Sequence, residues 1–107
     1  MDNQTFLRFS ARLNTEIKED IDRRFIITYL LHDDTILVYE PEVRNSGIKG
    51  GKFLEKCRYK NVEKNNQYFT PADLIVGEDI KINSFSFHIL EADSRTKIWY
   101  REHFKSE

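Results

Sequence analysis

The chain has almost no cysteine, since Cys57 is the only one among 107 residues. A single cysteine cannot close an intramolecular disulfide or supply a multi-cysteine metal site. Long apolar runs are missing as well, because no stretch approaches the ~18 residues that a membrane-spanning helix needs. No N-terminal apolar run precedes a cleavage site. We therefore expect a cytosolic or cytoskeletal protein without a membrane span.

Glycine and proline are also scarce, and most of them lie in one place. Three of the four glycines and one of the two prolines fall between Glu40 and Phe53, with strand-like sequence on both sides. Glycine supplies backbone conformations that other residues resist, and proline removes a donor from a strand ladder. The pattern predicts a long irregular loop in which Gly50 and Gly51 let the chain pass close to another backbone. Loops of this length in a small domain are often functional.

No excess of one charge is present, because the formal net charge is −1. This balance gives no global reason to expect nucleic acid or a membrane as partner. The distribution is uneven, however: the segment from Arg44 to Lys64 contains seven Lys or Arg residues and two acids. Such a basic segment is typical of a surface that meets an acidic or phosphate-bearing partner. A solvated loop face explains it equally well.

Alternating apolar residues predict most of the secondary structure. Strands are predicted over residues 5–13, 23–31, 35–40, 53–62, 79–83 and 85–91. The charges in residues 53–62 favour an edge strand, which tolerates them. Thr70 and Pro71 begin a short helix. Residues 94–104 fit either a strand or an amphipathic helix capped by Ser94, and we favour the helix. Together these elements predict a mainly β barrel or sandwich.

The sequence shows no arrangement of residues that indicates catalysis. The loop fails the phosphate-loop pattern, because Ser46 stands where the first glycine belongs and Phe53 where Ser or Thr would bind magnesium. The run 32–34 lacks metal-ligand spacing and fits a hairpin turn. Cys57 needs a neighbouring histidine to act as a nucleophile, and nothing places one there. His88 lies in an apolar strand, where a partly buried, satisfied histidine is expected. We expect no enzyme activity, no metal and no cofactor.

Four groups of short motifs, in order along the chain, carry a resemblance to a known family. They are Arg23-Arg24-Phe25 with Tyr29-Leu30; Asp33-Asp34-Thr35-Ile36 with Val38-Tyr39-Glu40-Pro41; Asn45-Ser46-Gly47-Ile48 with Gly51-Lys52-Phe53-Leu54; and Tyr68-Phe69-Thr70-Pro71-Ala72-Asp73-Leu74 with Val76-Gly77. On these residues the chain resembles the DM-ten domain of ciliary EF-hand-domain-containing proteins and of a ciliary nucleoside diphosphate kinase homologue. The resemblance covers about residues 7–100 of a single domain expected to span residues 1–107. The sequence contains neither an EF-hand loop nor a kinase module.

The resemblance implies a pleckstrin-homology-like barrel or sandwich closed by a C-terminal helix. It also implies a non-catalytic role on axonemal doublet microtubules of cilia and flagella, in contact with tubulin and other axonemal proteins. A module that binds phosphoinositide or another phosphate stays open as the alternative. We predict that the loop and the following edge strand bind the partner; docking on another face, with the loop packed, is equally open. The predicted partner-binding residues are Arg44, Asn45, Ser46, Gly47, Lys49, Lys52, Phe53 and Arg58.

Overall fold

The computed structural model describes residues 5–42 and 50–104. In chain order the elements of these residues are β1 (Phe6–Leu13), α1 (Lys18–Ile21), β2 (Phe25–Leu30), β3 (Thr35–Glu40), β4 (Gly51–Cys57), β5 (Lys60–Asn61), β6 (Gln67–Tyr68), β7 (Asp79–Ile82), β8 (Phe85–Ala92) and α2 (Ser94–His103). Single 3-10 turns occupy Val62–Lys64 and Pro71–Asp73. In the described part of the chain, neither α-helix has the length and apolar character to cross a bilayer.

One antiparallel sheet organises the fold. Its six strands lie in the order β4-β3-β2-β1-β8-β7, and β5 pairs with β6 in a separate two-stranded sheet. The large sheet curls into a half-barrel. This mainly β architecture with a C-terminal helix confirms the predicted fold class. The predicted internal helix is a single 3-10 turn, since Gly77 follows soon after it.

The concave face of the sheet forms the core. On β1 the side chains of Leu7, Phe9 and Ala11 are buried, while the residues between them are only partly buried. This is the period of two expected for a strand with one face against the core, and it confirms the strand predicted over residues 5–13. The other large buried residues of the core are Phe25, Ile27, Tyr29, Ile36, Val38, Leu54, Phe69, Leu74, Ile80, Ile82, Phe87 and Ile89.

The Phe53 ring connects the two sides of the curled sheet. It lies on β4, with its centroid 4.7 Å from that of Phe25 on β2 and 4.8 Å from that of Phe85 on β8. Phe87 lies 6.1 Å away in an edge-to-face arrangement. Strands β4 and β8 are not hydrogen-bonded neighbours, so aromatic packing joins them across the half-barrel.

The strand predicted over residues 53–62 is wrong in its second half. Strand β4 ends at Cys57, and after two residues the chain forms β5, which pairs with β6 and not with β3. The turn between β5 and β6 depends on Asn65 and Asn66, whose φ angles are 56° and 60°. Asparagine tolerates this left-handed conformation better than most residues. The prediction that this region lies at an edge is confirmed, because β4 is the outermost strand of the large sheet.

Helix α2 is anchored to β1 by a short set of hydrogen bonds. The Asp93 carboxylate accepts from the Thr96 N–H at 2.8 Å, so Asp93 is the N-cap. The predicted cap at Ser94 is therefore wrong by one residue: Ser94 is the first residue of the helix. The buried Thr96 hydroxyl oxygen accepts from the Arg8 N–H at 2.8 Å, and the Asp93 N–H donates to the Arg8 carbonyl at 3.1 Å. These bonds hold the C-terminal helix against the sheet.

Residues 69–74, which we call the strap, lie next to the buried Tyr29 and the partly buried Tyr100. The Tyr29 hydroxyl donates to the Asp34 carboxylate at 2.8 Å and lies 3.2 Å from the Phe69 carbonyl oxygen. The Tyr100 hydroxyl donates to the Pro71 carbonyl. Burial raises the pKa of both phenols above the ordinary tyrosine value, and at Tyr29 the bond to Asp34 raises it further. Both hydroxyls therefore stay protonated, as a donor must.

Candidate functional site

The two ends of the glycine-rich loop meet at a tight base. Glu40 and Gly51 are paired across β3 and β4. Gly50 has φ +78°, and a Cβ atom placed on it would lie 2.6 Å from the Glu40 carbonyl oxygen and 2.7 Å from the Glu42 nitrogen. The prediction that Gly50 passes close to another backbone is confirmed. A Cβ on Gly51 would meet nothing within 4 Å, so a close approach there is not what requires glycine.

Arg23, which lies just before β2, binds the base of the loop through Glu40. Its Nε and Nη2 atoms each donate to the Glu40 carboxylate at 2.9 Å, and Nη1 donates to Asp20 at 3.0 Å. The guanidinium lies 5.1 Å from the Phe25 ring and 5.6 Å from the Phe53 ring. The hydrogen bond to Glu40 raises the pKa of Arg23 above its ordinary value, although burial opposes it. This bidentate pair fixes β3 where the chain enters the loop.

Five of the eight predicted partner-binding residues lie outside the residues that the structure describes: Arg44, Asn45, Ser46, Gly47 and Lys49. The other three predicted residues, Lys52, Phe53 and Arg58, are described. No hydrogen bond, ion pair or ring contact among the described residues joins these three to one another. Their role in partner binding stays a prediction.

Lys52 and Phe53 have different surroundings, although they are adjacent on β4. Lys52 is exposed and lies opposite Tyr39. In the described chain it has no acidic partner, so its ammonium group is available to a ligand. Phe53 is half-buried and takes part in the aromatic packing that joins β4 to β8. Phe53 therefore packs against the core, and its role in partner binding stays a prediction.

Arg58 lies on an aromatic platform that β6 supplies. Its guanidinium is 4.1 Å from the centroid of the Tyr68 ring, and the Lys60 ammonium is 5.7 Å from the same ring. Lys60 and Tyr68 are also partners in the β5–β6 register. Stacking on a ring fixes the position of a cation without neutralising its charge. Neither cation has an acidic partner among the described residues.

The other basic side chains near Arg58 are paired. Lys56 lies 3.0 Å from the Asp33 carboxylate, and Lys64 contacts Asp73. A hydrogen bond from Thr35 and then that of Lys56 hold the pKa of Asp33 below its ordinary value. Burial alone would raise the pKa of Asp73, but Lys64 and the Thr70 N–H outweigh it, and the pKa is lowered. Lys56 and Lys64 are thus neutralised by carboxylates of the same chain. Lys52, Arg58 and Lys60 have no acidic partner in the described residues, so their charge is available to a binding partner.

The three histidines and the cysteine do not form a reactive pair. Cys57 is exposed, and its Sγ lies 3.7 Å from the Arg58 carbonyl oxygen. His32 faces Asp33 at 3.4 Å, and the His88 Nδ1 atom lies 2.7 Å from the Asp79 carboxylate. The partly buried, satisfied histidine predicted at position 88 is confirmed. Within residues 5–42 and 50–104, no cluster of His, Cys, Asp and Glu could hold a metal ion.

Two features of this region were missed from the sequence. One is the Arg23–Glu40 pair, although both residues belong to the matching motifs. The register Ile26↔Tyr39 of the β2–β3 hairpin brings them together, so a hairpin register assigned from its turn would have found it. The other is Lys81, which lines the same groove as Lys60. No local pattern joins two lysines this far apart in sequence.

Comparisons with known proteins identify a family and several relatives. The family model described as the DM10 domain matches residues 1–96. EF-hand domain-containing family member C2 of Danio rerio is 42% identical over 103 residues, which are 91% of this chain and 14% of the relative. EF-hand domain-containing protein 1 of Homo sapiens is 43% identical over 91 residues, or 81% of this chain and 14% of the relative. The Mus musculus protein of the same name is 41% identical over 97 residues, or 87% and 15%. The chain thus spans about one seventh of the length of these curated relatives.

Proposed function

Because the chain belongs to the DM10 domain family, we propose that it is a non-catalytic structural interaction module of axonemal doublet microtubules in cilia and flagella. It contacts tubulin or neighbouring inner-wall proteins. The relatives are named for EF-hand domains and not for an enzyme activity, which supports a binding role. Calcium binding does not follow from those names, since the chain spans only about one seventh of their length.

The observation that carries the proposal is the contrast among the basic residues after the loop. Lys56 and Lys64 are neutralised by Asp33 and Asp73. Lys52 and Arg58 have no acidic partner in the described chain, and Arg58 is held in place by Tyr68. Cations that are positioned and unpaired attract an acidic partner surface and set the orientation of docking. In the sequence of the loop before β4, Arg44 and Lys49 carry the same charge.

Microtubule co-sedimentation of a charge-reversed variant tests the proposal. We expect the double variant Lys52→Glu with Arg58→Glu to bind microtubules on the order of tenfold more weakly, because two exposed attractions become repulsions. The matched control is Lys18→Glu on α1, which makes one charge reversal at another exposed lysine. Because Lys18→Glu is a single reversal, its pelleting is compared directly with that of the single variant Lys52→Glu. Equal pelleting of the double variant and the unaltered chain, with unchanged thermal melting, would count against this surface.

Phosphoinositide binding is the second candidate, because unpaired Lys52 and Arg58 also suit phosphate groups. Flotation with liposomes that contain phosphorylated inositol lipids separates the two functions. A chain that floats with these liposomes but does not pellet with microtubules supports the alternative. Single modules often bind weakly alone, so a tandem of two copies is measured in parallel.

A further inference from the structure

A groove lies between the β5 region and the end of β7, which approach each other without pairing. It has a volume of about 380 Å³. Tyr59, Lys60 and Val62 line one side, next to β5, and Lys81, Asn83 and Ser84 line the other, at the end of β7. Strand β7 is the last strand of the large sheet, and β5 belongs to the separate small sheet. The groove therefore runs beside an open sheet edge.

The register of β7 and β8 shows which backbone groups point into this open edge. The Ile89 N–H donates to the Glu78 carbonyl at 3.0 Å, and Asp79 lies opposite His88. In an antiparallel pair, hydrogen-bonded and non-hydrogen-bonded positions alternate. Ile80 and Ile82 then bond to β8, whereas the N–H and C=O of Lys81 point away from β8. No other described segment supplies the Lys81 backbone with a hydrogen-bond partner.

The charge of the groove is of one sign. Lys60 and Lys81 both line it and both are exposed, and no lining residue is acidic. Neither lysine has a carboxylate partner in the described chain. The Tyr68 ring lies 5.7 Å from the Lys60 ammonium and restrains it. The Val62 side chain, which lines the groove on the same side as Lys60, is 58% exposed and offers an apolar contact.

We propose that this groove binds an acidic polypeptide segment in an extended conformation, which adds as a further strand along β7. Its backbone bonds to the N–H and C=O of Lys81, as in recognition by strand addition. Its carboxylates, on alternate residues, meet Lys60 and Lys81, and an apolar side chain covers Val62. Alternate side chains of a strand lie on one face and the side chains between them lie on the other, so a segment that alternates acidic and apolar residues presents its carboxylates on one face and its apolar groups on the opposite one.

A polypeptide fits these features better than a membrane or a small phosphate does. An unsatisfied strand edge recognises a peptide backbone, and neither a lipid headgroup nor inorganic phosphate has one. The net charge of −1 also provides no broad positive field for a membrane. The groove does not include Lys52 or Arg58, but Lys60 shares the Tyr68 ring with Arg58. Lys81 is therefore the residue that distinguishes this proposal from the proposed microtubule surface.

Fluorescence anisotropy with a short peptide that alternates glutamate and valine tests the charge of the groove. We expect Lys60→Glu with Lys81→Glu to weaken binding at least tenfold. The control Lys18→Glu should bind as the unaltered chain does, and a peptide that alternates lysine and valine should not bind. Unaltered affinity in the double variant, with the fold intact by circular dichroism, would overturn the proposal. Pelleting of Lys81→Glu with microtubules is read separately, and it should not change.

Amide hydrogen exchange tests strand addition itself. When the glutamate–valine peptide saturates the chain, we expect the Lys81 N–H to exchange several-fold more slowly. The Ile80 N–H, already bonded within the sheet, should change little. An unchanged exchange rate at Lys81 would overturn the backbone pairing. Competition by inorganic phosphate or inositol trisphosphate at the same concentration as the peptide would show a simple anion site and also overturn the proposal.

Discussion

The loop base and the strap are both tied to the sheet by side-chain hydrogen bonds, but the chemistry of the bonds differs. At the loop base an ionised arginine, Arg23, grips the Glu40 carboxylate with two bonds of 2.9 Å. At the strap two neutral phenols make the bonds, and the Tyr100 hydroxyl donates to a backbone carbonyl. The Glu40 side chain is 12% exposed. The loop base thus depends on the ion pair between Arg23 and Glu40. The strap depends on the Tyr29 and Tyr100 hydroxyls remaining protonated, since only a protonated hydroxyl can donate.

The difference teaches where each region is vulnerable. Removing one partner from a charged, mostly desolvated pair leaves the other charge without compensation, which costs more than losing a neutral bond. The loop base also has a steric requirement at Gly50 that the strap does not share. We therefore expect the largest effects of substitution at the loop base and smaller ones at the strap.

The largest effect is expected for Gly50→Ala. The new Cβ would stand 2.6 Å from the Glu40 carbonyl oxygen, at a φ of +78° that L residues rarely adopt. Because backbone atoms cannot move aside easily, strain and clash should lower the free energy of unfolding by about 3 kcal/mol. Urea denaturation followed by circular dichroism measures the loss.

Gly77→Ala is the matched control for this prediction. Gly77 has φ +91°, but a Cβ there would meet nothing within 4 Å. Gly77→Ala should lower the free energy of unfolding by only about 1 kcal/mol, the cost of placing an L residue at a positive φ. Equal losses in the two variants would mean that the close approach at the loop base does not contribute.

A smaller effect is expected for Arg23→Met, which keeps much of the side-chain volume but removes the charge. Glu40 would lose its bidentate partner, and we expect a loss of about 2 kcal/mol, less than for a fully buried pair because Arg23 is partly exposed. Chemical denaturation of Arg23→Met, Glu40→Gln and the double variant forms a cycle that isolates the coupling. Additive losses would show that the two residues stabilise the loop base independently.

Much of the fold could be predicted from the sequence because most strands have a clear apolar pattern. The buried face of β1 and the β7–β8 hairpin follow from apolar residues at every second position, and the β2–β3 hairpin follows from two β-branched and aromatic runs around a short polar turn. The strand break after Cys57 could not, because Arg58 and Tyr59 continue the pattern and only pairing with β6 reveals the turn. Tertiary pairing there overrides the local signal.

The candidate site could be predicted only in part. The basic segment was visible in the sequence, but which cations are neutralised depends on contacts with Asp33 and Asp73 from other elements. The packing role of Phe53 likewise depends on how the sheet curls. The groove that contains Lys81 needed the register of two strands and the approach of β5. Such features combine distant residues, so no motif of fixed spacing encodes them.

The smallest effect is expected at the strap, for Tyr100→Phe. This variant loses one hydroxyl bond to the Pro71 carbonyl, which should cost about 1 kcal/mol at neutral pH. The pKa of Tyr100 is raised in the folded chain by burial, so its contribution is complete below the unfolded pKa of about 10 and is lost as the pH rises above that value. Urea midpoints measured between neutral and alkaline pH should therefore fall less steeply for Tyr100→Phe than for the unaltered chain. Tyr68→Phe, at a tyrosine that is 41% exposed, is the control and should keep the original slope. If Tyr100→Phe also kept that slope, the strap would owe its alkaline sensitivity to Tyr29 or to neither phenol, and the contrast with the charged loop base would fail at this position.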